Sequence, residues 1–208
     1  AFIKDAISPV LIGVGFRGTG RVYRRLVGDA LQVVDVQNWK FNDSKRARFT
    51  IEVGVCFPRL LTAVAELDSY AFYRENLGEP GITECAVRRR LGEFLNPRQD
   101  IWWTVSATTG HLPNAEEVTA PVTTAAIPWM ETMSKIDALG SERTEQHALN
   151  SKVMEVAALF ALGQMTSARD AAKVLANAKH PTQPELAQKQ LGELLALEKL
   201  ISSRPGEA

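Results

Sequence analysis

The chain has 208 residues, of which 45% are hydrophobic, and its 24 Lys and Arg are balanced by 24 Asp and Glu. This length is enough to bury a core, and the composition excludes a disordered, collagen-like or disulfide-rich protein. The longest segment without a charge, residues 101–115, is too short and too polar to span a bilayer. A formal net charge of zero argues against a protein whose whole surface binds nucleic acid. We therefore expect a cytoplasmic protein with no membrane segment.

The charges are distributed unevenly along the chain. Residues 1–58 hold nine Lys and Arg against five Asp and Glu, whereas residues 111–208 hold nine against twelve. Twelve of the fifteen Arg precede residue 111. Because Arg is the better donor for bidentate recognition of an anion, an anion-facing surface is expected in the first half of the chain. The alternative is ordinary solvated charge.

The two cysteines, Cys56 and Cys85, are far apart in the sequence. The first residues carry charges of both signs and do not form the cationic and apolar regions of a secretory signal. We therefore expect both thiols to be reduced and structural.

In chain order, the first predicted element is a helix, because Ile3, Ile7, Val10 and Leu11 have helical spacing. Residues 13–18 then match the pattern G-x-G-x-x-G.

This glycine motif has two interpretations. In a dinucleotide-binding protein the glycines bring a pyrophosphate to a helix N-terminus, and Asp35 has the spacing of the ribose ligand. That interpretation requires a helix over residues 19–27, and Gly20, Val22 and Tyr23 lie in that segment. We favour the structural interpretation, in which a glycine ends the first helix and a glycine-lined turn leads into a strand.

The clearest strand covers residues 46–57, where Phe49, Ile51, Val53 and Val55 alternate with small or polar residues. A Val-rich strand over residues 31–40 precedes it, and the loop 42–45 joins the two strands as a hairpin. Pro58 begins a short helical segment. Two later strands are expected at residues 85–94 and 101–105.

After about residue 113 the apolar residues follow a helical period. One helix is expected to end near Gly163, the next to begin at Ser167, and the last to begin with a capping box of Thr182 and Glu185. The sequence predicts an α+β fold with an N-terminal helix and an antiparallel meander of four or five strands. Residues 1–140 would form the sheet domain and residues 141–208 a helical extension, with the C-terminal helices packed on the sheet or forming a small bundle.

Six segments, in order, resemble the bacterial family known as domain of unknown function 4304. They are Gly15-Phe16, Gly20–Arg25, Val33–Gln37, Arg48–Val55, Cys85–Gly92 and Asp100–Trp103. The resemblance covers residues 10–105 and implies a domain of one helix and an antiparallel sheet, with no assigned activity. Two positions depart from the family pattern: Asp35, where Asn is more common, and Trp39, where a small polar residue is common.

The sequence offers no strong catalytic or metal-binding motif. No Cys pair has the spacing of a zinc site, and His111, His147 and His180 stand in unlike settings. A G-x-S-x-G motif and a phosphate-binding Gly-Lys-Ser/Thr motif are both absent. We therefore predict no catalytic residue, no metal ligand and no cofactor, although an enzymatic activity stays open.

The most unusual local feature is the run Arg88-Arg89-Arg90, followed by Asp100 and Trp102-Trp103. On a strand, Arg88 and Arg90 share one face, and Arg89 lies on the other with Asp100 as its candidate ion-pair partner. In the functional interpretation, Arg88, Arg90 and Trp102 form a surface for an anion or for stacked bases. In the structural interpretation, the Arg side chains cover the sheet and both Trp side chains pack under the helices. The predicted binding surface comprises Gln37, Trp39, Arg88, Arg90, Asp100 and Trp102.

Three functional hypotheses follow from these features. The leading one is a non-enzymatic binding module that recognises another protein through the sheet face or the helical tail. The second is a nucleotide- or dinucleotide-binding protein that uses residues 13–18 and Asp35. The third is a protein that binds single-stranded nucleic acid through an Arg/Trp face of the sheet.

Overall fold

The computed structural model describes residues 2–140 and 148–203. The chain divides into two compact units: the first holds residues 1–55 and 88–134, and the second holds residues 56–87 and 135–208. The sequence boundary expected between Gly140 and Ser141 stays a prediction, and Ser141 lies outside the described residues.

A six-stranded sheet forms the centre of the first unit. Its strands are β1 (Arg17–Thr19), β2 (Val22–Val27), β3 (Ala30–Asn38), β4 (Arg46–Cys56), β5 (Val87–Arg90) and β6 (Trp103–Ser106). Strands β1 to β5 lie side by side in chain order, and β6 also pairs with β4. The pairs β1–β2, β2–β3 and β4–β6 are antiparallel. The predicted α+β class and antiparallel sheet are confirmed.

The β3–β4 hairpin follows directly from the sequence pattern. On β4, the apolar side chains Phe49, Ile51 and Val53 are buried on one face of the strand, because alternate residues of a strand point to the same side. The connecting loop is closed by Asp43, whose carboxylate accepts hydrogen bonds from the backbone N–H groups of Lys45 and Arg46, at 2.7 and 2.8 Å. These bonds lower the pKa of the Asp43 carboxyl below its ordinary value.

The glycine motif forms a turn that leads from the first helix into a strand. A π-helical turn (Ile3–Ile7) runs into α1 (Ser8–Gly13), so the predicted N-terminal helix is confirmed. The chain then leaves the helix through Gly15, at φ +90°, and enters β1, where Gly18 has φ +155°. Residues 22–27, where a dinucleotide fold needs its crossover helix, form strand β2. The helix required by the dinucleotide hypothesis is therefore not present, and the structural interpretation is correct.

Strand β5 is shorter than the sequence pattern predicts. It ends at Arg90, and a 3₁₀ helix (Leu91–Phe94) occupies the rest of the expected strand. The backbone N–H of Arg90 donates to the side chain of Glu93 at 2.9 Å instead of to a neighbouring strand. The backbone carbonyl of Gly92 then accepts from the N–H of Gln99 at 3.1 Å, which folds the segment between β5 and β6 into a loop.

The helices of the first unit pack against one face of its sheet. Helix α3 (Ala115–Pro121) continues through a π-helical turn (Val122–Ala126) into α4 (Ile127–Met133). Arg25 on β2 forms an ion pair with Glu131 of α4 at 3.1 Å, and Gln32 on β3 donates to Ser134 at 3.0 Å. These contacts fix α4 over β2 and β3.

The second unit is mainly helical. It contains α2 (Pro58–Ala65), α5 (Ala148–Ala161), α6 (Met165–Lys179), α7 (Pro184–Ser202) and 3₁₀ segments at Asp68–Asn76, Ile82–Glu84 and Ile136–Gly140. Helices α5, α6 and α7 contact one another, and α5 and α7 also contact α2. Thus the helices after residue 113 use both arrangements expected from the sequence, since α3 and α4 cover the sheet while α5 to α7 form a bundle. No helix in the described ranges 2–140 and 148–203 has the length and apolarity needed to cross a bilayer.

Two predicted helix starts in the second unit are wrong by one or two residues. Helix α6 begins at Met165, two residues before Ser167, because the chain turns at Gly163 (φ +73°) and enters the helix at once. Helix α7 begins at Pro184, whose fixed φ suits the first helical position. Its N-cap is Gln183 and makes no side-chain capping bond, so the expected capping box of Thr182 does not form.

Candidate functional site

A partly exposed cluster of aromatic and cationic side chains lies at the end of the β3–β4 hairpin in the first unit. We call it the Arg–Trp surface. It consists of Trp39, Arg48, Arg90, Asp100 and Trp102.

Arg48 lies between two indole rings. Its guanidinium carbon is 5.2 Å from the ring centre of Trp39 and 5.8 Å from that of Trp102. The backbone of Arg48 is fixed by Asn42, whose side chain accepts from its N–H at 2.7 Å and donates to its carbonyl at 2.9 Å. The N–H of Trp39 donates to the same carbonyl at 2.9 Å. The strand pairing and the loop side chain therefore hold the cation and its first indole in a defined geometry.

The second half of the surface is organised by Asp100. Its carboxylate forms an ion pair with Arg90 at 2.9 Å and accepts from the indole N–H of Trp102 at 3.0 Å. The guanidinium of Arg90 also lies 5.6 Å from the ring centre of Trp102. Because the side chain of Asp100 is 58% exposed, this ion pair contributes little to stability. Its effect is to orient Trp102 and Arg90.

A more buried polar cluster lies next to this surface, on the same strands. Glu52, which is only 4% exposed, accepts a hydrogen bond from Gln37 and forms an ion pair with Arg88 at 3.5 Å. Burial raises the pKa of the nearby Asp35 carboxyl, and a hydrogen bond with Gln37 partly offsets that increase. Asp35 and Gln37 share one face of β3, and Trp39 directly follows the strand, so this cluster and the Arg–Trp surface adjoin.

The structure brings the six residues of the predicted binding surface together in these two neighbouring clusters. Trp39, Arg90, Asp100 and Trp102 belong to the Arg–Trp surface, and Gln37 and Arg88 contact Glu52. Sequence reasoning missed Arg48 and Glu52. The signal was available, because the alternation of residues 46–57 places both on the face opposite the apolar side chains.

Two contacts differ from those expected. Asp100 pairs with Arg90 and not with Arg89. Arg89 points to the opposite face of β5, where its guanidinium lies 5.7 Å from the ring of Phe94 and 5.3 Å from that of Trp129. Successive residues of a strand point to opposite faces, so Arg89 and Arg90 project from opposite sides of β5. Asp100 lies on the side that carries Arg90 and Trp102.

The adjacent tryptophans likewise separate to opposite faces. Trp103 stacks on Phe49 at 5.6 Å, on the side of the sheet covered by helices, as the structural interpretation expected. Trp102 belongs to the Arg–Trp surface instead. Trp103 therefore packs as the structural interpretation expected, whereas Trp102 lies beside Arg90, and a binding role for that surface stays a prediction.

A shallow cavity of about 460 Å³ lies on the helical side of the first unit, between the loop before β6 and helix α3. Trp103, Leu95 and Pro121 contribute to its mainly apolar wall. Glu116 and Glu117 also line it, and both lie in the first turn of α3, where the helix dipole stabilises carboxylates. The acidic residues thus have a structural reason to be there.

Most candidate metal ligands and the two cysteines can be located in the part of the chain that the structure describes. Among residues 2–140 and 148–203, no three His, Cys, Asp or Glu side chains are grouped to hold a metal ion; His147 lies outside these ranges. Cys56 and Cys85 are both free and buried. Burial, together with the charge of Glu84, raises the pKa of the Cys56 thiol to about 12, so this thiol is a poor nucleophile.

Comparison with known proteins places the chain in one family. The family described as "Domain of unknown function (DUF4304)" matches residues 7–132, which is more than half of the chain. The chain therefore belongs to the DUF4304 family, as the six sequence segments indicated. No curated protein matches the chain, and no solved structure matches it.

Proposed function

We propose that this protein is a non-enzymatic binding module that recognises another protein through the Arg–Trp surface. The observation that supports this proposal is the convergence of two indoles and two guanidiniums in one partly exposed cluster. Trp and Arg are the side chains most enriched among the residues that dominate the affinity of protein–protein interfaces. Trp39 is 37% exposed and its neighbour Phe41 is 63% exposed, so apolar area is available for a partner to bury.

The geometry favours a protein over single-stranded nucleic acid. Bases stack on free aromatic faces, whereas both Trp39 and Trp102 already have the guanidinium of Arg48 against their rings. Aromatic side chains and Arg are enriched in protein–protein interfaces relative to the rest of a protein surface.

Comparative affinity capture from cell lysate tests this proposal. The immobilised proteins are the unmodified chain, the double variant Trp39→Ala/Trp102→Ala, and the control Leu26→Ala. Leu26 is 69% exposed and lies on β2, opposite Leu31, at the far end of β3 from Trp39. The control therefore removes exposed apolar area from the same sheet without touching the Arg–Trp surface.

We expect a stoichiometric protein that is retained by the unmodified chain and by Leu26→Ala and is lost from the double variant. Recovery of no such protein, or equal recovery by all three baits, would refute the proposal. Recovery of nucleic acid, with binding that weakens steeply as salt rises, would support the nucleic-acid hypothesis instead.

We further propose that the protein acts in the bacterial cytoplasm. The support is that Cys56 and Cys85 are both free, since disulfides are rare in that compartment. Cell fractionation with an antibody against the chain tests the location, and recovery from an exported fraction would contradict it.

A further inference from the structure

Arg48 differs from three other arginines of the same sheet, Arg25, Arg88 and Arg90, in what its guanidinium contacts. Arg25 donates to Gln32 at 3.0 Å and forms an ion pair with Glu131 at 3.1 Å. Arg90 pairs with Asp100, and Arg88 pairs with Glu52. These side chains all have an acceptor or a carboxylate within the protein.

For Arg48, no residue in the described parts of the chain supplies an acceptor to the guanidinium, whose contacts are the rings of Trp39 and Trp102. A guanidinium carries five N–H donors in one plane, and the two indoles restrict the orientation of that plane. The cation is therefore held in place while its hydrogen-bonding capacity is left for a group from outside the chain.

The chemistry of that group follows from the charges of the hairpin. Residues 40–48 hold four cations, Lys40, Lys45, Arg46 and Arg48, and one acidic residue, Asp43. The Asp43 carboxylate is already bound to two backbone N–H groups of the loop. The cations are thus spread over the whole of residues 40–48. Such a distribution favours a partner segment with several carboxylates over a single terminal carboxylate.

From this geometry we infer that Arg48 binds a side-chain carboxylate in an acidic segment of the protein partner. The planar guanidinium pairs with the two carboxylate oxygens, and Trp39 and Trp102 hold it in the orientation needed for both hydrogen bonds. This inference rests on the proposed function and goes further, because it names the chemical group that the Arg–Trp surface selects.

The test begins with the selection of random dodecapeptides displayed on phage, using the full chain as the target. The selected peptides are then labelled, and their dissociation constants are measured by fluorescence anisotropy against four proteins. These are the unmodified chain, Arg48→Gln, Arg48→Lys and the control Arg17→Gln. Arg17 lies on the edge strand β1, and β2 and β3 separate it from β4, so the control removes the same charge far from the site.

We expect the selected peptides to be rich in Asp or Glu. Arg48→Gln should weaken binding about tenfold or more, and Arg48→Lys several-fold, because Lys keeps the charge but loses the planar pair of donors. Arg17→Gln should have no effect. Replacing the critical Asp of the peptide by Asn should weaken binding to the unmodified chain but cause no further loss with Arg48→Gln, since the two changes remove one interaction.

Three other results overturn the inference. If amidation of the peptide C-terminus abolishes binding and replacement of its Asp by Asn does not, then Arg48 binds a terminal carboxylate and not a side-chain carboxylate. Peptides that depend on Trp39 and Trp102 but bind Arg48→Gln normally would refute the carboxylate and leave the proposed function standing. If the double tryptophan variant selects the same peptides as the unmodified chain, both the inference and the proposed function fail.

Discussion

Replacing Gly18 by Ala should strongly destabilise the first unit, although the position is exposed on a short edge strand. A Cβ added to Gly18 would lie 2.2 Å from the carbonyl oxygen of Val22 and 2.9 Å from the Cα of Tyr23. The residue also has φ +155°, a conformation that side-chain-bearing residues rarely adopt. The close approach and the backbone conformation therefore both require glycine at this position.

The expected loss can be built from these two terms. The backbone conformation costs on the order of 1–3 kcal/mol for a residue with a side chain. Restoring normal contact with Val22 moves β1 away from β2 by roughly 1 Å. That shift weakens one or two hydrogen bonds, each worth about 1 kcal/mol. The loss has an upper limit, because β1 has only three residues and its detachment from β2 would relieve the clash. We therefore expect the free energy of unfolding to fall by about 2–4 kcal/mol.

Gly13, the first glycine of the same motif, provides the matched control. It ends α1, has no atom within 4 Å of an added Cβ, and does not have a positive φ. Ala at this position should leave stability unchanged or raise it by up to about 1 kcal/mol, because Ala favours the helix. A dinucleotide site would instead need both glycines.

Urea denaturation followed by tryptophan fluorescence measures this difference. The four tryptophans of the chain, Trp39, Trp102, Trp103 and Trp129, all lie in the first unit, so the signal reports on the unit that contains the substitution. A change below about 0.5 kcal/mol for Gly18→Ala, or an equal loss for Gly13→Ala, would refute the close-packing argument.

Three further predictions concern buried polar groups. Burial raises the pKa of the Asp35 carboxyl above its ordinary value of 3.8. The ionised carboxylate therefore destabilises the folded state at neutral pH. This cost disappears as the pH falls through the raised pKa towards 3.8, because the carboxyl becomes protonated. Asp35→Asn should therefore raise the Tm at pH 7 by more than at about pH 4, and a difference that is constant or widens in acid would contradict this reasoning. Glu52→Ala should cost about 2 kcal/mol or more in urea denaturation, because it breaks the ion pair with Arg88. The double change with Arg88→Met should recover part of that loss, and no recovery would count against the ion pair. The thiols of Cys56 and Cys85 should react with a disulfide reagent only after denaturation, since both are buried, and rapid labelling of Cys56 in the native protein would be inconsistent with a pKa of about 12.

Much of the sheet could be predicted from the sequence because its information is local. The alternation on β4 identifies both the strand and its two faces, and the short polar loop before it defines the hairpin. The turn at residues 13–18 was also predictable, since helical spacing in the preceding segment favoured a helix over the strand of a dinucleotide fold. The length of β5 was not predictable, because the strand ends where the backbone N–H of Arg90 donates to the side chain of Glu93, a hydrogen bond that competes with strand pairing.

The proposed binding surface also combines features that are predictable from the sequence with features that are not. The residue types near the hairpin, the face that each strand residue occupies, and the breaks at glycine and proline all follow from the local pattern of residues. The position of Arg48 between Trp39 and Trp102 and the pairing of Asp100 with Arg90 depend instead on how distant segments pack. Alternation fixes the side of a strand, but the partner across a sheet is set by strand order and register, which depend on hydrogen bonds between segments more than fifty residues apart.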